Sequence, residues 1–119
     1  MVSVFQTKAN VTLLPQGFRP LDAFPHCSRH LGKPGFSTFC EAMAAGIGLH
    51  VVERQAFAEV TALMKGLKCH AAHRILTREA FRAGDWELDQ PLEPAACPSL
   101  PAHGARQAAE HVVAMAETL

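Results

Sequence analysis

An α/β domain built on a mainly parallel sheet is the fold this sequence predicts, and three observations carry the prediction. A glycine-rich turn runs into a short helix across residues 32–46, an apolar stretch follows at 47–52, and apolar residues then recur at three- and four-residue intervals through 56–67. Strands alternating with helices in this way read as parallel strands joined by helical crossovers. The chain has 119 residues, enough for one domain and one core. Its 49% hydrophobic content, against 18% charged, favours a packed unit over a disordered one.

The elements follow in order. Residues 10–14, Asn-Val-Thr-Leu-Leu, are β-rich and stop at Pro15, so they read as a strand followed by the loop Gln16-Gly17-Phe18-Arg19-Pro20. Residues 21–24 form a short helix before Pro25, and 27–31 are the strand that feeds the glycine turn, although Ser28, Arg29 and His30 are unusual in a strand buried on both faces. A helix over 39–45 ends at Gly46, a strand spans 47–52, and Phe57, Val60, Leu63, Met64 and Leu67 form the apolar stripe of a helix over 56–67. A further strand is expected over 68–76, which makes about four. Thr77 then caps a short helix through Arg82 that stops at Gly84.

From 85 to 101 four prolines impose an irregular connection, and Ala105, Ala108, Ala109, Val112, Val113, Met115 and Ala116 line one face of a terminal helix within 102–119. The simplest role for that face is core. No repeat or low-complexity tract interrupts the single domain.

Composition excludes several classes. Acidic and basic residues balance at a formal net charge of zero, so no broad field advertises nucleic acid or an anionic membrane. The longest nearly apolar run, 42–52, is too short to span a bilayer and is broken by Gly46, Gly48 and His50. Cys27, Cys40, Cys69 and Cys97 are widely spaced with no C-x-x-C, and read as reduced, mostly buried thiols of a cytoplasmic protein. His70 and His73 are the closest histidine pair. On one strand they would face opposite ways, so no metal site is expected.

The segment Gly32-Lys33-Pro34-Gly35-Phe36-Ser37-Thr38-Phe39-Cys40-Glu41-Ala42-Met43-Ala44-Ala45-Gly46 carries the chemistry. Glycines let the backbone approach a ligand closely, and the unpaired N–H groups at a helix start favour an anion. Thr38 and Glu41 also fit the S/T-x-x-E capping box, in which each satisfies a backbone donor of the other. Lys33 reads either as a phosphate contact or as a solvated loop lysine. Trp86, among acidic neighbours, reads as an anchor for the long connection or as a sugar-stacking platform.

Over residues 11–64 this pattern resembles the C-terminal, donor-binding lobe of GT-B glycosyltransferases, and is most similar to the N-acetylglucosaminyltransferase group of peptidoglycan synthesis. The resemblance implies a Rossmann-like lobe that binds a nucleotide-sugar, most often a UDP-sugar, as donor substrate, without a metal or other cofactor. Gly35, Phe36, Ser37 and Thr38 would then cradle the diphosphate, Glu41 would accept from the ribose hydroxyls, and Gly17, Phe18 and Arg19 would hold the base. Lys33 and Glu59 are further candidates. Gly48 stands where the family carries proline, and the region after Glu59 departs from its acidic-Gln pattern. The acceptor-binding N-terminal lobe lies outside these residues, so the isolated chain is expected to be inactive and to need that lobe or a partner subunit. The alternative is a non-catalytic binding, regulatory or protein-interaction module that keeps the fold.

Overall fold

The computed structural model describes residues 8–55, 57–101 and 103–119. Among these, the chain forms α1 (Pro20–Ala23), a 3-10 turn (Phe24–His26), β1 (Arg29–Gly32), α2 (Phe36–Ala45), β2 (Gly48–Val52), α3 (Val60–His70), β3 (His73–Leu76), α4 (Arg78–Arg82) and α5 (Gly104–Glu117). The three strands form one parallel sheet in the order β1-β2-β3. Arg29 pairs with Gly48, and Leu49 with His73. The fold is therefore α/β with a parallel sheet, as the alternating pattern predicts, but with three strands rather than about four.

Strand β2 lies at the centre because it is the most apolar stretch, and its alternation divides the molecule. Leu49 and Val51 are buried against Phe39 and Ala42 of α2 and Leu63 and Leu67 of α3, with Phe24, Ile47 and Ala71 completing the core. Both crossover helices thus share one face of the sheet. Gly48 and His50 point to the other face, where the connection after α4 covers them. A Cβ at position 48 would meet the end of the Leu92 side chain, so a larger residue there requires that side chain to shift.

The connection acts as a strap. Its carbonyls at Gln90 and Pro91 accept from Arg29 and Arg74, and Glu93 makes an isolated antiparallel bridge with His73 at the free edge of β3. Ala96 and Cys97 then donate to the carbonyls of Lys68 and Cys69 at the end of α3. The Cys69–Cys97 disulfide closes this path. By the chain-entropy argument, a bridge across 28 residues of sequence stabilises by about 3.5 kcal/mol.

Several expectations need correction. Residues 10–14 form no strand: Val11 N–H bonds Lys8 in a turn and Leu13 and Leu14 are exposed. β-propensity stabilises only where neighbours pack, and these residues pair with no strand of the sheet. Helix α2 starts three residues before the expected Phe39, with Gly35 as N-cap and Phe39 N–H on the Gly35 carbonyl. Thr38 and Glu41 lie inside the helix and form no capping box.

The cysteines are not four reduced, mostly buried thiols, since Cys69 and Cys97 are paired and Cys27 and Cys40 are exposed. Residues 68–72 are not part of a strand, because α3 continues to His70 and β3 begins at His73. Finally, every described residue of α5 is exposed, so its apolar face is not core. The sheet itself offers it no place, since helices cover one face and the strap covers the other. The molecule extends 61 × 31 × 27 Å as a result.

Other local readings hold. Gly46 ends α2 in the left-handed region at φ 71°, donating its N–H to the carbonyls of Ala42 and Met43. The Thr77 hydroxyl accepts from Ala80 N–H at 3.0 Å, capping α4. Among the described residues, no helix is long and apolar enough to cross a membrane.

Candidate functional site

The carboxyl ends of the three strands converge on a cleft of about 770 Å³. Leu31 and Gly32 end β1, Val52 ends β2, and α4 follows β3 directly. Each strand is succeeded within two residues by a cation on the cleft wall: Lys33 after β1, Arg54 after β2 and Arg78 after β3. Arg82 lies one helical turn beyond Arg78 and lines the same cleft, because residues four apart share a helix face. Glu53 is the one carboxylate among the described lining residues.

Lys33, Arg78 and Arg82 form no ion pair with any described residue, so their donors remain available to an anion. Arg54 lies 4.1 Å above the Phe57 ring centroid, an arrangement that fixes its guanidinium without neutralising it. The apolar wall is an aromatic pair. Phe81 and Trp86 stack with centroids 6.0 Å apart at 22°, and Trp86 Nε1–H donates to the Phe81 carbonyl at 2.9 Å. In open parallel sheets, ligands bind at this edge of the strands.

A polar network beneath the strap holds that wall. His50, fully buried in the central strand, lies 3.1 Å from Arg29 Nη1 and 3.1 Å from the Trp86 carbonyl. Arginine only donates and a carbonyl only accepts, so Nε2 is the acceptor, Nδ1 carries the proton, and the ring is neutral. Burial foremost, and then the nearby Arg29 and Arg74 charges, hold the His50 pKa below its ordinary value against the opposing Trp86 carbonyl and Glu87. Arg74 pairs with Glu87 at 3.2 Å, across a turn in which Glu87 adopts φ 52°. That left-handed conformation costs about 1–2 kcal/mol, and the ion pair helps hold it.

The residues singled out from the sequence are distributed over three clefts. Lys33 lines the large cleft. Arg19, Thr38 and Glu41 gather around a second cleft of about 350 Å³, together with Phe24 and His30. There Arg19 is bonded to Asp22 at 2.8 Å, which raises the guanidinium pKa and lowers that of the carboxyl; Glu41 adds a smaller upward effect on Arg19. His30, edge-on to Phe24, is pushed below its ordinary range by burial. Phe36 and Glu59 line an apolar groove of about 370 Å³ between α2 and α3. Gly35 is the N-cap of α2, and Ser37 is exposed in its first turn. Gly17 and Phe18 sit in an exposed turn, with Gly17 at φ 85° and Phe18 N–H on the Pro15 carbonyl.

The sequence alone does not single out Arg54, Arg78, Arg82 or Phe81 as site residues. The signal that finds Arg54 and Arg78 is a cation two residues after a strand end, at 52 and at 76; Arg82 and Phe81 follow only from the helix that begins at Arg78 and from the stack on Trp86. No family profile, curated protein or solved structure matches the chain.

Proposed function

We propose that this domain binds a phosphate-bearing small molecule of the nucleoside diphosphate class in the cleft at the carboxyl edge of the sheet. Following the resemblance of residues 11–64, its ligand is a nucleotide-sugar, and the chain acts as the donor-binding lobe of a glycosyltransferase whose acceptor side comes from another lobe or subunit. The observation that carries the reading is the convergence of Lys33, Arg54, Arg78 and Arg82 on one cleft beside an aromatic wall. Guanidinium groups bind phosphate oxygens in bidentate fashion, and an aromatic ring offers a surface on which a base stacks. Glu53, exposed at the wall, has no second carboxylate partner among the lining residues. This favours a binding role for the isolated chain, and equally serves a non-catalytic nucleotide-binding module.

The test is calorimetric titration of the full chain with UDP, UDP-sugars, pyrophosphate and uridine, with amide shifts followed in parallel. UDP and pyrophosphate should bind, uridine should not, and shifts should concentrate at Lys33, Arg54 and 78–82. Replacing both Arg78 and Arg82 by alanine should weaken UDP at least about tenfold, since each hydrogen bond to a charged group contributes about 1.5–3 kcal/mol. The proposal fails if no diphosphate binds. It also fails if the shifts are confined to Arg19, Thr38 and Glu41, which would move the ligand to the smaller cleft.

A further inference from the structure

Where the strap returns to the end of α3, Cys69, His70 and Cys97 bring two sulfurs and an imidazole together, with ligand atoms all within 4.8 Å of one another. We propose that in the reduced protein these three side chains form a binding site for a soft divalent cation, zinc in class, and that the disulfide is its metal-free, oxidised form.

Donor chemistry supports this first. Two thiolates and an imidazole are the ligand types that select zinc over hard cations. Tetrahedral zinc with bonds of about 2.3 Å places its sulfur ligands about 3.8 Å apart, so the two sulfurs need only separate after reduction for an ion to enter between them. Backbone bonds hold the two segments in register independently of the disulfide: Ala96 N–H to Lys68 at 3.1 Å and Cys97 N–H to Cys69 at 2.7 Å.

The imidazole is also oriented. His70 Nδ1 lies 3.3 Å from the Pro98 carbonyl, which can only accept. Nδ1 therefore carries the proton, leaving the Nε2 lone pair free for a ligand. A backbone carbonyl on the second ring nitrogen is the usual support of a metal-bound histidine. Electrostatics adds to this, because Cys69 and His70 occupy the last turn of α3, the negative end of the helix dipole, which favours a cation. With three protein ligands, solvent water fills the fourth position, and the ion remains exchangeable.

The redox step balances with a dithiol as reductant. The dithiol gives two electrons and two protons to the Cys69–Cys97 disulfide and leaves as its own disulfide. On metal entry, both cysteine protons pass to solvent and two sulfur–metal bonds form.

The test uses the full chain carrying Cys27→Ser and Cys40→Ser, which removes the exposed free thiols. After reduction and removal of the reductant, cobalt(II) should bind one to one and give thiolate-to-metal charge-transfer absorption. Zinc should displace it, and the oxidised protein should give no such band. Adding His70→Ala should weaken cobalt about tenfold or more, and adding Cys97→Ser should abolish the band. Absence of the band in reduced protein, or a band indifferent to His70→Ala, overturns the proposal. If reduction unfolds the chain, zinc should restore the far-ultraviolet circular dichroism, but not in the Cys97→Ser form. Failure of zinc to restore it overturns the proposal too.

Discussion

Replacing Glu53 by glutamine should tighten diphosphate binding. Glu53 is exposed on a wall otherwise charged by Lys33, Arg54, Arg78 and Arg82, so its carboxylate opposes any anion that those cations attract. Two unit charges about 5–8 Å apart interact by about 0.5–0.8 kcal/mol in a water-like dielectric, the limit that suits an exposed group. A ligand carrying two to three negative charges at such distances gains about 1–2 kcal/mol when the carboxylate is neutralised, or about five- to thirty-fold in affinity. Glutamine preserves shape, so folding should be unchanged. Calorimetry of UDP at low ionic strength measures the effect, and repetition in 1 M salt should shrink it, because the screening length falls to about 3 Å. A gain in affinity cannot arise from damage to the fold, which makes the experiment sharper than removal of an arginine. Unchanged or weaker UDP binding at low salt would refute the reasoning.

Three further outcomes follow from the packing. Leu67→Ala, at a fully buried core position, should cost about 3–5 kcal/mol, a large part of a small domain's total, and urea unfolding would show it. Stability should fall on acidification. His30 and His50 both have folded pKa values below the ordinary value of about 6.5, so the unfolded chain takes up the proton first. The stabilisation is present above about pH 6.5 and is lost as pH falls through the folded values, at no more than about 1.4 kcal/mol per pH unit for each ring; Arg29, Arg74 and Glu87 face His50. A pH-independent urea midpoint between about 7 and 5 would contradict this. Removing residues 104–119 should leave the unfolding free energy unchanged within about 0.5 kcal/mol, because α5 contributes no buried residue. A lower urea midpoint in the shortened chain would show that α5 packs on the body.

What the sequence revealed, it revealed through local chemistry. The left-handed Gly46 after α2, the apolar run of β2 and the Thr77 cap each depend on residues a few positions apart, and each is legible without knowledge of the rest. The errors arise where the deciding contact is distant. Nothing near residues 10–14 tells that no strand of the sheet pairs with them. Nothing near Cys69 tells that a proline-rich strap 28 residues later brings Cys97 beside it. The face of α5 looks like core because its period is right, yet burial depends on whether another surface stands open. The site behaves in the same way. Gly32 and Lys33 are found from the turn they form, whereas Arg54, Arg78 and Arg82 are ordinary surface residues until strand pairing aligns the three strand ends.

The strap explains why so small a sheet can present a cleft at all. A three-stranded parallel sheet with helices on one face leaves its other face open, and parallel strands are stable only when both faces are covered. Here the cover is not a helix but an irregular chain segment, and the face is polar where it meets the backbone of the strap: Arg29, His50 and Arg74 all end on strap carbonyls. The Trp86 carbonyl that receives His50 Nδ1–H belongs to the same residue whose ring stacks on Phe81 and lines the cleft. Closing the second face and building the aromatic wall are thus one structural act. A change that charges or removes His50 acts on the site from beneath, without touching any cation at its mouth.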